Sequence, residues 1–248
     1  MSRKIFSVCL SLVLALSLAF GATLTQTAFT PDAKAYAATG PQPGQPAYYN
    51  ARWAECEAKV GWADTGLPEW NGTAVQPTQG SGTVADPYLV TTAEQFRWCL
   101  ANQKSCQLQN DLDLGGRSGK NWTGISARSA WTIDGNGHTV YNLFSQTTHH
   151  TGLIGDSAHA DFVLKNLTVS NARVNSTSTY GAPLIAQFAG GQVLDCGVKN
   201  ALVWQSNATA GAWAVMAGCV SFGGQGNGGL NLAISKKIVR NTYTDNVH

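Results

Sequence analysis

Three short apolar triplets recur at a fixed interval in this chain. Leu153-Ile154-Gly155, Leu184-Ile185-Ala186 and Val215-Met216-Ala217 are each 31 residues apart. Between them lie two related segments, Val163 to Val174 and Val193 to Val203, which align if the second lacks one residue of the first. A period near 30, short β-rich segments and no helical periodicity between them mark the coil of a solenoid. A single coil cannot bury its own apolar face, so successive coils must stack. The stretch from Trp131 to Leu143 opens the series as strand, tight turn, strand. Ile133 precedes Asp134-Gly135-Asn136-Gly137, where Gly135 and Gly137 beside Asp and Asn mark backbone positions that need φ > 0. Thr139, Val140 and Tyr141 then return to strand composition. Asp-Gly by itself suggests a hairpin. The segments after it repeat as single rungs, however, so the chain is predicted to be all-β, a parallel β-helix (solenoid).

Local signals place further elements. Val140-Tyr141-Asn142-Leu143 resembles the start of the repeating unit, which sets Asn142 and Asn166 at matching positions with Cys196 third. The expectation is an amide ladder at a turn, because Asn tolerates the αL conformation. Upstream, Thr92 is the expected N-cap of a helix, with Gln95 completing a capping box. Phe96, Cys99 and Leu100 form its apolar stripe. Such an N-terminal amphipathic capping helix has a physical task, since the end of a β-helix exposes stacked core and unpaired backbone. Leu108 to Leu114 alternates, with Leu108, Leu112 and Leu114 inward and Asp111 and Asp113 expected on the solvated face.

The N-terminus reads as an export signal. Arg3 and Lys4 precede an apolar run from Ile5 to Phe20, and Ala35-Tyr36-Ala37 is a small-x-small cleavage site. The expected organisation is therefore 1–37 signal peptide, 38–69 linker and N-terminal extension with a short helix from Trp53 to Trp62, 70–130 N-terminal cap and first strands, 131–224 β-helix repeats, and 225–248 a C-terminal tail. Removing 1–37 takes Arg3, Lys4, Lys34 and Asp32 from the 16 basic and 14 acidic residues, leaving 13 of each. A neutral mature chain gives no reason to expect a nucleic-acid or anionic-membrane partner, nor membrane insertion after signal removal. Five cysteines remain. Cys99 with Cys106 and Cys196 with Cys219 are candidate disulfides in an oxidising compartment, and buried thiols stacked within the coils are the alternative. No clustered Cys/His spacing calls for zinc, and no cofactor is expected.

The order and spacing of several pieces resemble bacterial secreted or surface proteins with GLUG-type repeats. The pieces are Trp70-Asn71-Gly72, Gly80 to Thr83 with Asp86 to Val90, Thr92 to Phe96, Asn110 to Leu114, Asp134 to Val140, Asn142-Leu143, Gly152 to Gly155 and Leu164 to Leu167. The resemblance implies a right-handed parallel β-helix on an exported, adhesin-like protein. The later repeats are degenerate, Gly-Leu-Ile-Gly becoming Ala182-Pro183-Leu184-Ile185-Ala186 and then Ala214 to Ala217.

A parallel β-helix also resembles pectate lyases and polygalacturonases, whose chemistry needs several carboxylates in one outward column. The position after the first apolar pair holds Tyr141, Lys165 and Asp195 in the three repeats, which is not an acidic column. Asp134 near His138 invites a dyad, yet no nucleophile in a suitable context accompanies it. His149 and His150 are adjacent and would face opposite ways in a strand. No catalytic residue is assigned. The expectation is a non-catalytic adhesion or binding module for glycans or host and cell-surface proteins. A polysaccharide-active enzyme and a structural stalk of a larger surface protein are the alternatives.

Overall fold

The computed structural model describes residues 46–148, 150–176, 180–205, 237–240 and 243–247. The chain divides into two compact units, Met1–Ala51 and Arg52–His248. Of the first, only residues 46–51 are described, and they open helix α1 (Pro46–Lys59). This helix begins earlier than the Trp53 to Trp62 expected. Pro46 suits a first helical position, where an amide N–H has no intrahelical partner to lose.

The second unit is a parallel β-solenoid of about three turns with few helices. One sheet is built from β1 (Tyr88–Val90), β2 (Cys106–Leu108), β5 (Thr132–Asp134), β8 (Ile154–Lys165), β10 (Ile185–Leu194) and β12 (Lys237–Arg240), with β4 (Ile125–Ala127) also on β8. The other holds β3 (Leu112–Asp113), β6 (Thr139–Tyr141), β9 (Thr168–Ser176), β11 (Gly197–Gln205) and β13 (Tyr243–Val247), with β7 (Phe144–Thr147) on β9. Residues 243–247, expected within a polar tail, are thus a strand of the solenoid. The Asp134 to Thr139 segment does not close a hairpin. β5 pairs in parallel with β2 and β8, and β6 with β3 and β9.

Register explains the core. Ile125, Ile154 and Ile185 stack on successive rungs, as do Ile133, Leu164 and Val193, and Val140, Val169 and Val198. All but Ile125 are fully buried. Burial of each such side chain contributes about 1.5–3 kcal/mol. The Val215 triplet lies outside the described residues.

The register corrects two expectations. β8 has 12 residues and β10 has 10, so the 31-residue offset between Ile154 and Ile185 falls to 29 between Lys165 and Leu194. Bulges around Gly190 absorb the difference. Gly191, at φ +110, sits where a Cβ would lie 2.7 Å from the Phe162 carbonyl oxygen. Val163 consequently faces Gln192 and not Val193, and Lys165 stacks between Asp134 and Leu194. The Tyr141, Lys165, Asp195 column does not exist: Tyr141 lies in the other sheet, opposite Ser170, and Asp195 is one residue past the partner of Lys165.

Asn142 and Asn166 likewise occupy different turns. Asn142 follows Tyr141, which pairs with Ser170, so it belongs beside Asn171 and Asn200. Asn166 precedes the Leu167 carbonyl that binds the Gly197 amide, and it belongs beside Asp195, with Cys196 one position further on. Two left-handed columns result. Asn136, Asn166 and Asp195 have φ of 52°, 55° and 54°, and Asn142, Asn171 and Asn200 have φ of 55°, 54° and 47°.

A segment that the sequence leaves as linker straps the second column. Gly61 O accepts from Asn171 Nδ2 at 2.7 Å. Ala63 N donates to Asn142 Oδ1 at 2.8 Å, and Ala63 O accepts from Asn142 Nδ2 at 3.0 Å. Thr65 Oγ1 donates to Asp113 Oδ2 at 2.7 Å. The strap thus steps down one rung for every two residues. Its upper end is held by Arg173, which pairs with Glu57 at 2.5 Å, donates to Val60 O at 3.1 Å and lies 4.1 Å from the Trp62 ring. Arg173→Ala is expected to cost about 2 kcal/mol. Amide exchange should rise across residues 57–65 and stay slow in β8 and β9.

Candidate functional site

The outward face of the first sheet carries a groove of about 300 Å³. Inward residues Ile133, Leu164 and Val193 leave their neighbours pointing out, so Thr132 and Asp134 (β5), Val163 and Lys165 (β8), and Gln192 and Leu194 (β10) line it. Val84 and Pro87, from the loop before β1, form one lip, and Val84 is 63% exposed.

Asp134 and Lys165 neutralise each other across adjacent rungs, with Lys165 Nζ 3.1 Å from Asp134 Oδ2. Asp134 Oδ1 accepts from Asn166 Nδ2 at 3.0 Å and from Asn136 N at 2.9 Å. Burial alone would raise this carboxyl. The bonds from Asn166, Asn136 and Lys165, with the Lys165 charge, outweigh burial and hold it below the usual range. Asp134 therefore adds stability above the unfolded carboxyl value, about 3.9, and that contribution is lost as pH falls through the lower folded value. Asp134→Asn should shrink the drop in melting temperature between pH 5 and pH 2, measured by circular dichroism.

Gly135 and Gly137 shape the turn below the groove. Gly137 has φ +83. Gly135, expected at positive φ, is not in the left-handed region, which Asn136 takes; Gly135 is required by closeness, since a Cβ there would lie 2.3 Å from the Asn166 carbonyl oxygen.

A second recess, of about 330 Å³, lies between Leu67-Pro68, the start of helix α2 (Ala93–Ala101) and Asn110 to Leu112. Thr92 caps this helix, its Oγ1 accepting from Gln95 N at 3.3 Å. Gln95 Oε1 accepts from Thr91 N at 2.8 Å and not from Thr92 N, so the capping box is displaced by one residue. Asp111, in the recess, accepts from Thr139 N at 2.9 Å and meets His138 Nδ1 at 3.1 Å. His138 is therefore paired with Asp111 and not with Asp134.

Asp113 departs from the solvated position expected of it. It is 2% exposed beneath the strap, bonded to Asn142, Thr65 and the Gly115 amide. Asp111 and Asp113 thus serve separate networks.

Cys99 and Cys106 are fully buried free thiols, the alternative to the local disulfide. The hydrogen bond with Cys99, then burial, pushes the Cys106 thiol well up, and a thiol so held is a poor nucleophile. Cys196 is buried, with its thiol toward the Leu194 carbonyl at 3.3 Å, and Cys219 lies outside the described residues. So does His149. Among the described residues no three His, Cys, Asp or Glu side chains gather to hold a metal ion, and no helix is long and apolar enough to cross a membrane.

Comparison with protein-family models, curated proteins and solved structures finds no match. The functional reading therefore rests on the groove. Sequence reasoning did not single out Thr132, though the alternation around Ile133 is the signal that places it there. Gln192 was hidden, because the inserted residues of β8 shift it out of alignment with Val163. The strap had no sequence signal beyond the absence of apolar periodicity.

Proposed function

We propose that this chain is an exported β-helix protein, secreted or held at the cell surface, that binds a glycan or a surface partner without turning it over. The observation that carries this reading is the state of Asp134, the one carboxylate among the described residues that line the groove. Asp134 is engaged at both oxygens by Lys165, Asn166 and the Asn136 amide. Glycoside hydrolysis needs a second carboxyl about 5–10 Å away, one of the pair with a raised pKa, whereas Asp134 is lowered. The apolar run and A-x-A site at the N-terminus support export, and the GLUG-type resemblance supports a surface role.

Two features of the fold belong to the same proposal. The winding is right-handed, as parallel strand crossovers almost always are. Helix α2 is the N-terminal cap: its Phe96, Cys99 and Leu100 share the core with Val90, Leu108 and Trp122.

The test uses purified mature protein. Immobilised glycans and cell-surface extracts should retain it, while pectin-like and neutral polysaccharides should release neither reducing ends nor unsaturated products. Turnover abolished by Asp134→Asn would overturn the reading in favour of an enzyme.

A further inference from the structure

The groove also carries information about what it holds. We propose that it binds an uncharged oligosaccharide, about two sugar units at a time, through Gln192, Thr132 and the free N–H groups of Lys165. This rests on the binding reading above and narrows it.

The site lies on a sheet face and not at an edge. Backbone N–H and C=O groups of β5, β8 and β10 are consumed by the parallel ladders on either side. A ligand here is read by side chains alone, which disfavours an added peptide strand, since such strands bind through main-chain edges.

Charge narrows the ligand further. Among the described residues that line the groove, the ionised groups are Asp134 and Lys165, and they are paired. A charged ligand gains no net attraction there and loses hydration on entry. A hydroxyl-rich uncharged ligand loses less, because the groove offers both donors and acceptors. The Gln192 amide supplies each, the Thr132 hydroxyl supplies each, and the Lys165 ammonium has N–H groups beyond the one facing Asp134. Val163, Leu194, Val84 and Pro87 give apolar contact for the C–H faces of a sugar ring.

Length follows from the rungs. Thr132, Val163 and Gln192 stand on three successive strands, so the polar positions span two inter-strand spacings, about 9–10 Å. That is close to the length of a disaccharide unit in an extended chain.

The experiment is isothermal titration of the mature protein with uncharged β-linked hexose tetrasaccharides and with tetragalacturonate. An uncharged tetrasaccharide should bind, and tetragalacturonate at least tenfold more weakly. Gln192→Ala and Thr132→Val should each weaken binding about five- to tenfold, the loss of one neutral hydrogen bond. Circular dichroism and melting temperature of both variants should match the parent, which separates lost contacts from lost fold. Binding by the parent that both folded variants retain would overturn the groove as the site and leave the binding reading intact. Tighter binding of tetragalacturonate would overturn the ligand class. Failure of the parent to bind any glycan, with retention of a surface protein from extracts, would overturn this inference and leave a partner-binding protein.

Discussion

Replacing Trp122 with alanine is expected to lower the unfolding free energy by about 3–5 kcal/mol. The side chain is fully buried. It joins three parts of the core that are distant in sequence. Trp70 meets it edge-on at 4.9 Å between ring centroids, Phe96 of α2 stacks at 6.1 Å, and its indole N–H donates to Leu153 O at 3.1 Å. Arg97 covers it from outside, 5.0 Å from the ring. Alanine would leave a cavity at the junction of helix, entry segment and first coils, and would strand the Leu153 carbonyl. In a chain of this size the melting temperature should fall by about 10 °C. Urea titration followed by tryptophan fluorescence and by circular dichroism measures it. A loss under about 1 kcal/mol would mean that α2 does not pack on the first coil as described.

Asn142→Ala should cost about 3 kcal/mol, by a different route. Asn142 is fully buried with φ 55°. Its amide satisfies both polar groups of Ala63 and donates to Asp113 Oδ2 at 2.8 Å. Alanine removes all three bonds, leaves the Ala63 backbone groups unmet, and holds in αL a residue without asparagine's tolerance of it, at about 1 kcal/mol. Asn142→Gly removes the same bonds without that strain. The glycine variant should therefore recover about 1 kcal/mol relative to alanine in the same denaturation experiment, and both should release the strap to proteolysis near Ala63. Equal stability of the two variants would show that the turn is not held in αL.

Much of the architecture was legible because stacking imposes period. The recurrence at Leu153 and Leu184 gave the solenoid, and Asp134 to Gly137 gave the turn between sheets. The register within a rung was not legible. Two additional residues in β8 shift the alignment, and period-2 side chains make a one-residue error invert a face. That shift hid Gln192 from the groove, whereas Asn142 was set beside Asn166 because Val140 to Leu143, on the second sheet, resembles the end of β8 on the first. The buried state of Asp113 was invisible for another reason. It depends on a strap 48 residues away that has no apolar pattern of its own. Alternation predicts which face a side chain takes and not what covers that face. The buried thiols of Cys99 and Cys106 show the same limit, since spacing allowed a disulfide and packing decided against it.

The groove exists only if the coils stack in parallel with Ile125, Ile154 and Ile185 one above another. A crystal structure of residues 52–248 measures this directly. The predicted result is Cα separations of about 4.8 Å between Ile125 and Ile154 and between Ile154 and Ile185, on strands running the same way. Antiparallel strands at these positions, or Val163 facing Val193 in place of Gln192, would contradict the fold and remove the groove with it.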